Sequence, residues 1–270
     1  MQIKVLSRDR NSIRFMLSGA STAFANALRR AMMAEVPMMA IDDCMIVENS
    51  SVMFDEVLSH RLGLIPLTTD LDSYVTPEEC SCKAELGCSR CRVALSLEAE
   101  ANEESRYVLS SEIKSEDPEV RPVSDAIPVV KLAPGQKIRL EAYARLGKGR
   151  EHSKWQPVSA CGYKYLPKLI IDSAKCNGCG ECVKICPKEV LEIREGKLVA
   201  SKELECTVCG DCARTCPEKP NPPIKVSWDE ETYIFYVEST GTLPPERIVK
   251  EAGNVLKNKT AQFEEALKSL

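Results

Sequence analysis

The segments CNGCGECVKICP at 176–187 and CTVCGDCARTCP at 206–217 repeat one spacing of cysteines, so this stretch must fold around thiols rather than around a hydrocarbon core. Cys176, Cys179, Cys182 and Cys186 lead to Pro187; Cys206, Cys209, Cys212 and Cys216 lead to Pro217. The chain starts MQIKVLSRDR, which lacks the apolar core of a secretory signal, and no run nears the roughly 20 apolar residues that span a bilayer. A cytoplasmic location with no membrane association is expected. In that reducing compartment fourteen cysteines grouped at short spacings point to metal ligation rather than to disulfides.

A CxxCxxCxxxCP run suits an iron–sulfur cube: three thiolates on one tight loop wrap one face, and the fourth comes from elsewhere. Where the run occurs twice, the fourth cysteine of each serves the other cluster. The expected sets are Cys176, Cys179, Cys182 and Cys216, and Cys206, Cys209, Cys212 and Cys186. Gly178, Gly180 and Gly210 suit a backbone that must approach inorganic sulfide closely. Between the runs, VLEIREGKLVA alternates apolar and charged residues about Glu195-Gly196 and predicts a β-hairpin. Two [4Fe-4S] clusters are expected, with zinc held by the same thiolates as the alternative.

Upstream, CSCKAELGCSRC supplies Cys80, Cys82, Cys88 and Cys91. A CxC followed by a CxxC fits a closed tetrahedral zinc site that staples a loop; four reduced, metal-free cysteines are the other reading. Cys44 and Cys161 stand alone among apolar residues and read as buried structural thiols.

The remaining sequence reads as scaffold. IKVLSRD and SIRFMLSG predict paired strands, and Ser21 or Thr22 can cap a helix over AFANALRRAMMAEV that Pro37 ends. At the far end, Pro244 and Pro245 open a long amphipathic helix. Its stripe of Ile248, Ala252, Val255, Leu256, Phe263, Leu267 and Leu270 must be buried against its own domain or a partner. The middle reads as antiparallel β-structure with polar loops. The basic stretch RLGKGREHSK at 145–154 reads as a solvated loop, and Asp42-Asp43 and Asp229-Glu230-Glu231 as turn and cap residues. The formal net charge of −4 argues against primary nucleic-acid binding. The chain holds no GxxxxGK[ST], GxSxG, HExxH or GxGxxG motif, and its two histidines, His60 and His152, lie in charged or amphipathic segments. No catalytic residue is predicted.

Four further segments give the chain a likeness: NALRRAMMAEVPMMAIDDCMIVENSS, DEVLSHRLGLIPL, IRLEAYARLGKGREHSKWQPV and ESTGTLPPERIVKEAGNVL. Together and in this order they resemble the larger alpha-like subunit family of archaeal DNA-directed RNA polymerase. That family is the counterpart of the third-largest eukaryotic subunit and of the bacterial alpha N-terminal domain. The resemblance covers essentially the whole chain. It implies an α+β fold in which residues 1–42 and 224–270 form one discontinuous alpha-like dimerisation domain. Residues 43–170 would be an inserted β-rich domain with the possible zinc loop at 80–91, and 171–223 an inserted ferredoxin-like iron–sulfur domain, for which the resemblance allows a [3Fe-4S] form of either cluster beside two [4Fe-4S] clusters.

The resemblance further implies a non-catalytic assembly platform that pairs with subunit L and recruits the second-largest and largest subunits and the small subunits N and P. Its interface residues would be Asn26, Arg29 and Arg30 on the first helix, and Ile248, Ala252, Val255, Leu256 and Phe263 on the last. His60 and Arg61, in the stretch HRLGLIPL, would face a large subunit. The competing reading, carried by the cysteine repeat alone, is a ferredoxin-type electron-transfer subunit of an oxidoreductase complex.

Overall fold

A computed structural model describes residues 1–84 and 87–268. The chain divides by its contacts into two compact units, Met1–Arg8 with Arg14–Asn26 and Gly162–Tyr236, and Asp9–Ile13 with Ala27–Cys161 and Val237–Leu270.

The first unit is built on a four-stranded sheet of β1 (Gln2–Arg8), β2 (Ser12–Ser18), β9 (Val158–Ile171) and β12 (Ile224–Ser239), in the order β1-β2-β12-β9. β9 lies at an edge of this sheet, which is why its Pro167, unable to donate a ladder hydrogen bond, is tolerated there. The Phe15 and Phe235 rings stack at 4.9 Å, and Tyr163 meets Phe235 at 5.2 Å. Helix α1 (Thr22–Ala34) starts in this unit, where Ser21 Oγ accepts the Phe24 N–H at 3.2 Å, the N-cap its position predicted.

The cysteine repeat leaves from the end of β9 and returns at the start of β12, and the Asp172 N–H donates to the Pro223 carbonyl at 2.7 Å across that neck. Inside it lie β10 (Leu191–Arg194), β11 (Lys197–Ala200) and two single-turn helices, α3 (Glu181–Ile185) and α4 (Asp211–Thr215). β10 and β11 form the predicted hairpin, with Arg194 opposite Lys197. Glu195 and Gly196 turn it with φ of 50° and 74°, the left-handed pair that a two-residue turn demands.

The second unit centres on another four-stranded sheet, of β3 (Pro37–Asn49), β4 (Val93–Glu100), β6 (Lys114–Ser115) and β8 (Lys137–Lys148), in the order β3-β8-β4-β6. β3–β8, β8–β4 and β4–β6 are all antiparallel. β4 and β8 alternate buried and outward residues, so one face carries Val93, Leu95, Leu97, Leu140 and Ala142 into the core. A two-stranded sheet of β5 (Arg106–Leu109) and β7 (Pro128–Leu132) and helix α2 (Asp55–Gly63) share this core, with Leu58 and Leu62, one turn apart, fully buried. β3 and β9 run unbroken through residues 42 and 170, where the family resemblance suggested domain boundaries.

The basic stretch 145–154 is not the solvated loop expected of it, nor is Asp42 a cap. Asp42 accepts from Arg145 Nε at 2.6 Å and Lys154 Nζ at 2.5 Å, and both cations sit over the Trp155 ring, at 4.5 and 4.4 Å. Alternation in β8 sets Arg145 on the face turned away from Leu140, Ala142 and Ala144, where it is half-buried against the Trp155 ring, and charges so placed must be paired. Burial raises the Asp42 pKa, but the hydrogen bonds from Lys154 and Arg145 and their charges outweigh it, and the net shift is downward. A carboxyl with a lowered folded-state pKa contributes stability above its unfolded pKa of about 3.9, lost as pH falls through the folded value. Asp42→Asn is therefore expected to cost about 2 kcal/mol near pH 7. That difference should shrink toward zero in urea midpoints measured below about pH 3.

Candidate metal centres and the helices that meet partners

In both cysteine runs the third thiol lies just inside a one-turn helix: Cys182 follows Glu181 at the start of α3, and Cys212 follows Asp211 at the start of α4. Gly180 and Gly210 precede these helices with identical backbone angles, φ 77° and ψ 2°, so the sequence repeat is also a conformational one. The left-handed geometry explains the glycine in CGEC and CGDC. One position breaks the symmetry. Where the first run has Gly178 at φ 71°, the second has Val208 at φ 58°, a strained geometry for a β-branched residue. The Val208 N–H meets the Cys206 thiol there, at 3.4 Å.

Two cavities flank the hairpin. One is lined by Cys176, Cys179, Cys182 and Cys216 together with Ile193, Leu198 and Ile224. The other is lined by Cys186, Cys206, Cys209 and Cys212 together with Leu169, Val190 and Leu191. Each cavity thus takes three cysteines from one run and the last cysteine of the other. Among the described residues only the upstream four cysteines bring their ligand atoms within 4.8 Å of one another. The eight downstream thiols are therefore spread more widely than the upstream four. Burial raises the Cys182 pKa and pushes Cys212 to about 11, so an uncharged thiol is favoured at either position until something cationic binds.

Residues outside the repeat fix the loop that enters the second run, and sequence reasoning missed them. Lys164 of β9 donates to the carbonyls of Leu204 at 2.7 Å and Cys206 at 2.9 Å, and Arg14 of β2 pairs with Glu205 at 2.8 Å. Glu203 accepts the Leu169 N–H at 2.7 Å. The acidic ELE at 203–205 was the available signal, because three residues with two carboxylates before a thiol site need cationic or N–H partners.

Upstream, the Cys80 and Cys88 Sγ atoms are 3.7 Å apart, and Cys91 Sγ lies 3.9 Å from those of Cys82 and Cys88. A tetrahedral ion with bonds of about 2.3 Å to sulfur sets its ligands roughly 3.8 Å apart, so the four could hold a metal ion. The Cys82 backbone N–H draws the Cys80 thiol down to about 7, whereas burial pushes Cys91 to about 12. Residues 85 and 86 of this loop lie outside the described residues.

The expected interface residues sit as follows. Asn26, Arg29 and Arg30 lie on α1, with Arg30 exposed and the Arg29 guanidinium against Met33 Sδ at 3.1 Å. Helix α5 (Pro245–Lys268) buries Ile248 and Ala252 completely and half-buries Val255 and Leu256. These last two line a shallow groove with Ala27, Arg30, Ala31 and Ala34, closed by an ion pair of Lys259 with Glu35 at 2.7 Å. From residue 257 every described residue of α5 is exposed, including Phe263 at 66 % and Leu267 at 51 %. Leu270, the end of the predicted stripe, lies outside the described residues. His60 is exposed, whereas Arg61 is tied to β7 through the carbonyls of Val129 at 2.9 Å and Pro128 at 2.7 Å. His152 is a local cap, its Nδ1 accepting the Lys154 N–H at 3.0 Å. No described helix is long and apolar enough to cross a membrane.

A chain that leaves half of an amphipathic helix exposed and surrounds its cysteines with thiol-lined space has the makings of a metal-bearing assembly subunit. Residues 14–260 match the family model of the RNA polymerase Rpb3/Rpb11 dimerisation domain. The chain is 44 % identical over 261 residues to the DNA-directed RNA polymerase subunit Rpo3 of Methanosphaera stadtmanae, covering 96 % of each chain. It is 42 % identical to the Rpo3 subunit of Archaeoglobus fulgidus, over 100 % of this chain and 98 % of that one. For that of Pyrococcus horikoshii the identity is 40 %, over 100 % and 99 %. The chain belongs to the Rpb3/Rpb11 dimerisation family and, within it, to the archaeal Rpo3 subunits.

Proposed function

We infer that this chain is a non-catalytic assembly subunit of an archaeal DNA-dependent RNA polymerase. The observation that carries the reading is the pairing of full-length Rpo3 likeness with a terminal helix whose outer half is exposed. Residues 1–42 and 224–270 act as the dimerisation part, with α1 and α5 packing against the equivalent helices of subunit L. Asn26, Arg29, Arg30, Val255, Leu256 and Phe263 contribute to that contact, while Ile248 and Ala252 hold α5 to its own unit. The segment 43–170 and the α2 stretch with His60 and Arg61 meet the large subunits, and subunits N and P join the same platform. Catalysis belongs to those other subunits.

The segment 171–223 is a ferredoxin-like domain holding two four-iron clusters, one by Cys176, Cys179, Cys182 and Cys216 and the other by Cys206, Cys209, Cys212 and Cys186. The two four-cysteine cavities support this assignment over zinc knuckles, since their thiols do not converge to single-ion spacing. Bound there, the clusters replace the hydrocarbon core this short segment lacks. Cys80, Cys82, Cys88 and Cys91 hold zinc. One zinc per chain is expected in the purified protein and none in Cys88→Ser, as read by elemental analysis; a zinc-free wild type would remove the assignment. Stepwise reconstitution of the polymerase from separate subunits tests the platform role. Omitting this chain should leave the large subunits unassembled, and an active enzyme formed without it would refute the role.

A further inference from the structure

One groove of the first unit lies outside the cysteine sites and meets the dimerisation helices only at Thr22, the first residue of α1. It is an open recess lined by Gly19, Ala20, Ser21 and Thr22 on one side and Tyr165, Trp228, Glu230 and Glu231 on the other. The Tyr165 and Trp228 rings form its floor, with centroids 6.1 Å apart and planes inclined by 35°. Tyr165 is held in place by Tyr233 at 5.2 Å and by a hydroxyl contact to Thr22 Oγ1 at 3.2 Å. Trp228 is 46 % exposed, so its ring is open to a ligand.

The polar groups around this floor are of one sign. Glu230 and Glu231 are both exposed, and both lie outside the local ion pair, in which the neighbouring Asp229 is taken by Lys168 at 2.8 Å. Three backbone donors beside the groove are already committed. Gly19 and Ala20 N–H groups donate to the Glu231 carbonyl, at 2.9 and 3.3 Å, and the Phe24 N–H to Ser21 Oγ. The groups of the groove suited to a planar side chain are two aromatic faces and two carboxylates. A planar cation satisfies both, stacking on the indole and phenol rings and donating to a carboxylate through its fork of N–H groups.

We propose that this groove is a docking site for an arginine side chain presented by a basic segment of a partner protein. Charge complementarity selects the occupant, and tryptophan, tyrosine and arginine are the residues that dominate protein interfaces energetically. The site is built from β9, β12 and the start of α1 and takes no residue from α5, so its loss should leave pairing through α5 intact.

The test uses the full chain and a short blocked peptide carrying arginine, with the same peptide carrying citrulline or lysine, followed by Trp228 fluorescence and by amide chemical shifts. The arginine peptide should perturb Trp228 saturably, with binding weakened by added salt. Glu230→Gln with Glu231→Gln should weaken it about tenfold or more, and Trp228→Ala should abolish it. Trp228→Phe should retain binding by chemical shift while losing the optical signal. Equal binding of the citrulline peptide, or of a proline-rich peptide without cations, would overturn the proposal in favour of a simple aromatic groove. No shift at Tyr165 or Trp228 with any peptide, or indifference to the double glutamine variant, would overturn it outright.

Discussion

Phe263→Asp should abolish pairing with subunit L while leaving this chain as stable as before. Phe263 is 66 % exposed on the outer half of α5, so its replacement removes little internal contact. Burying such a ring against a partner is worth about 1.5–3 kcal/mol. Forcing a carboxylate into the same apolar contact adds a desolvation cost of several kcal/mol. The sum corresponds to a loss of affinity of about a thousandfold or more, readable by size-exclusion chromatography of co-expressed chains. Phe263→Ala should lose roughly ten- to a hundredfold. Ile248→Asp is the contrasting variant: Ile248 is fully buried, so it should unfold the helix's own anchorage and lower solubility before pairing is tested.

Cys182→Ser should empty the first cavity and soften the whole cysteine segment. Apart from its thiols, the local core is small: Val190, Leu191, Leu198 and Ile224, with partly buried neighbours. A core of that size supplies little stability without metal. Iron content should fall by about four per chain or more, and protease sensitivity should rise within 171–223. Pairing with L should persist, because the cysteines lie outside both segments proposed for dimerisation, whereas recruitment of the later subunits should fall. Cys209→Ser should act the same way through the second cavity. Equal loss of pairing and recruitment would mean that the segment supports the dimerisation part directly. The anchors that would transmit such an effect are visible, Lys164 and Arg14 on the sheet and Glu205 beside Cys206.

Local features were the ones legible in the sequence. The Glu195-Gly196 turn, the Ser21 cap and the proline-opened terminal helix each depend on a few adjacent residues, and the structure places all three where spacing put them. The proposed sharing of the eight cysteines between two clusters rests on their spacing, whose geometric logic is general. Pairings distant in sequence were not legible. Asp42 finds Arg145 and Lys154, 103 and 112 positions away, and nothing local to DD or to KGREHSK announces it. Strand order has the same origin: β12 sits between β2 and β9, a neighbourhood that no periodicity encodes. The left-handed Val208 was hidden because a valine gives no hint of a positive φ, although alignment of the two runs sets it against Gly178. The stripe of α5 reads as one apolar face, yet burial divides it, with Ile248 and Ala252 inside and Phe263 outside.

If this chain is a metal-dependent platform whose exposed helix pairs with a smaller alpha-like subunit, anaerobic co-expression with subunit L should yield a one-to-one complex. That complex should carry about eight irons and about one zinc. Size-exclusion chromatography, with iron, sulfide and zinc analysis of the eluted species, reads pairing and metal content together. A chain that ignores L, yet binds iron and passes electrons to a soluble acceptor, would refute the platform reading and favour an electron-transfer subunit.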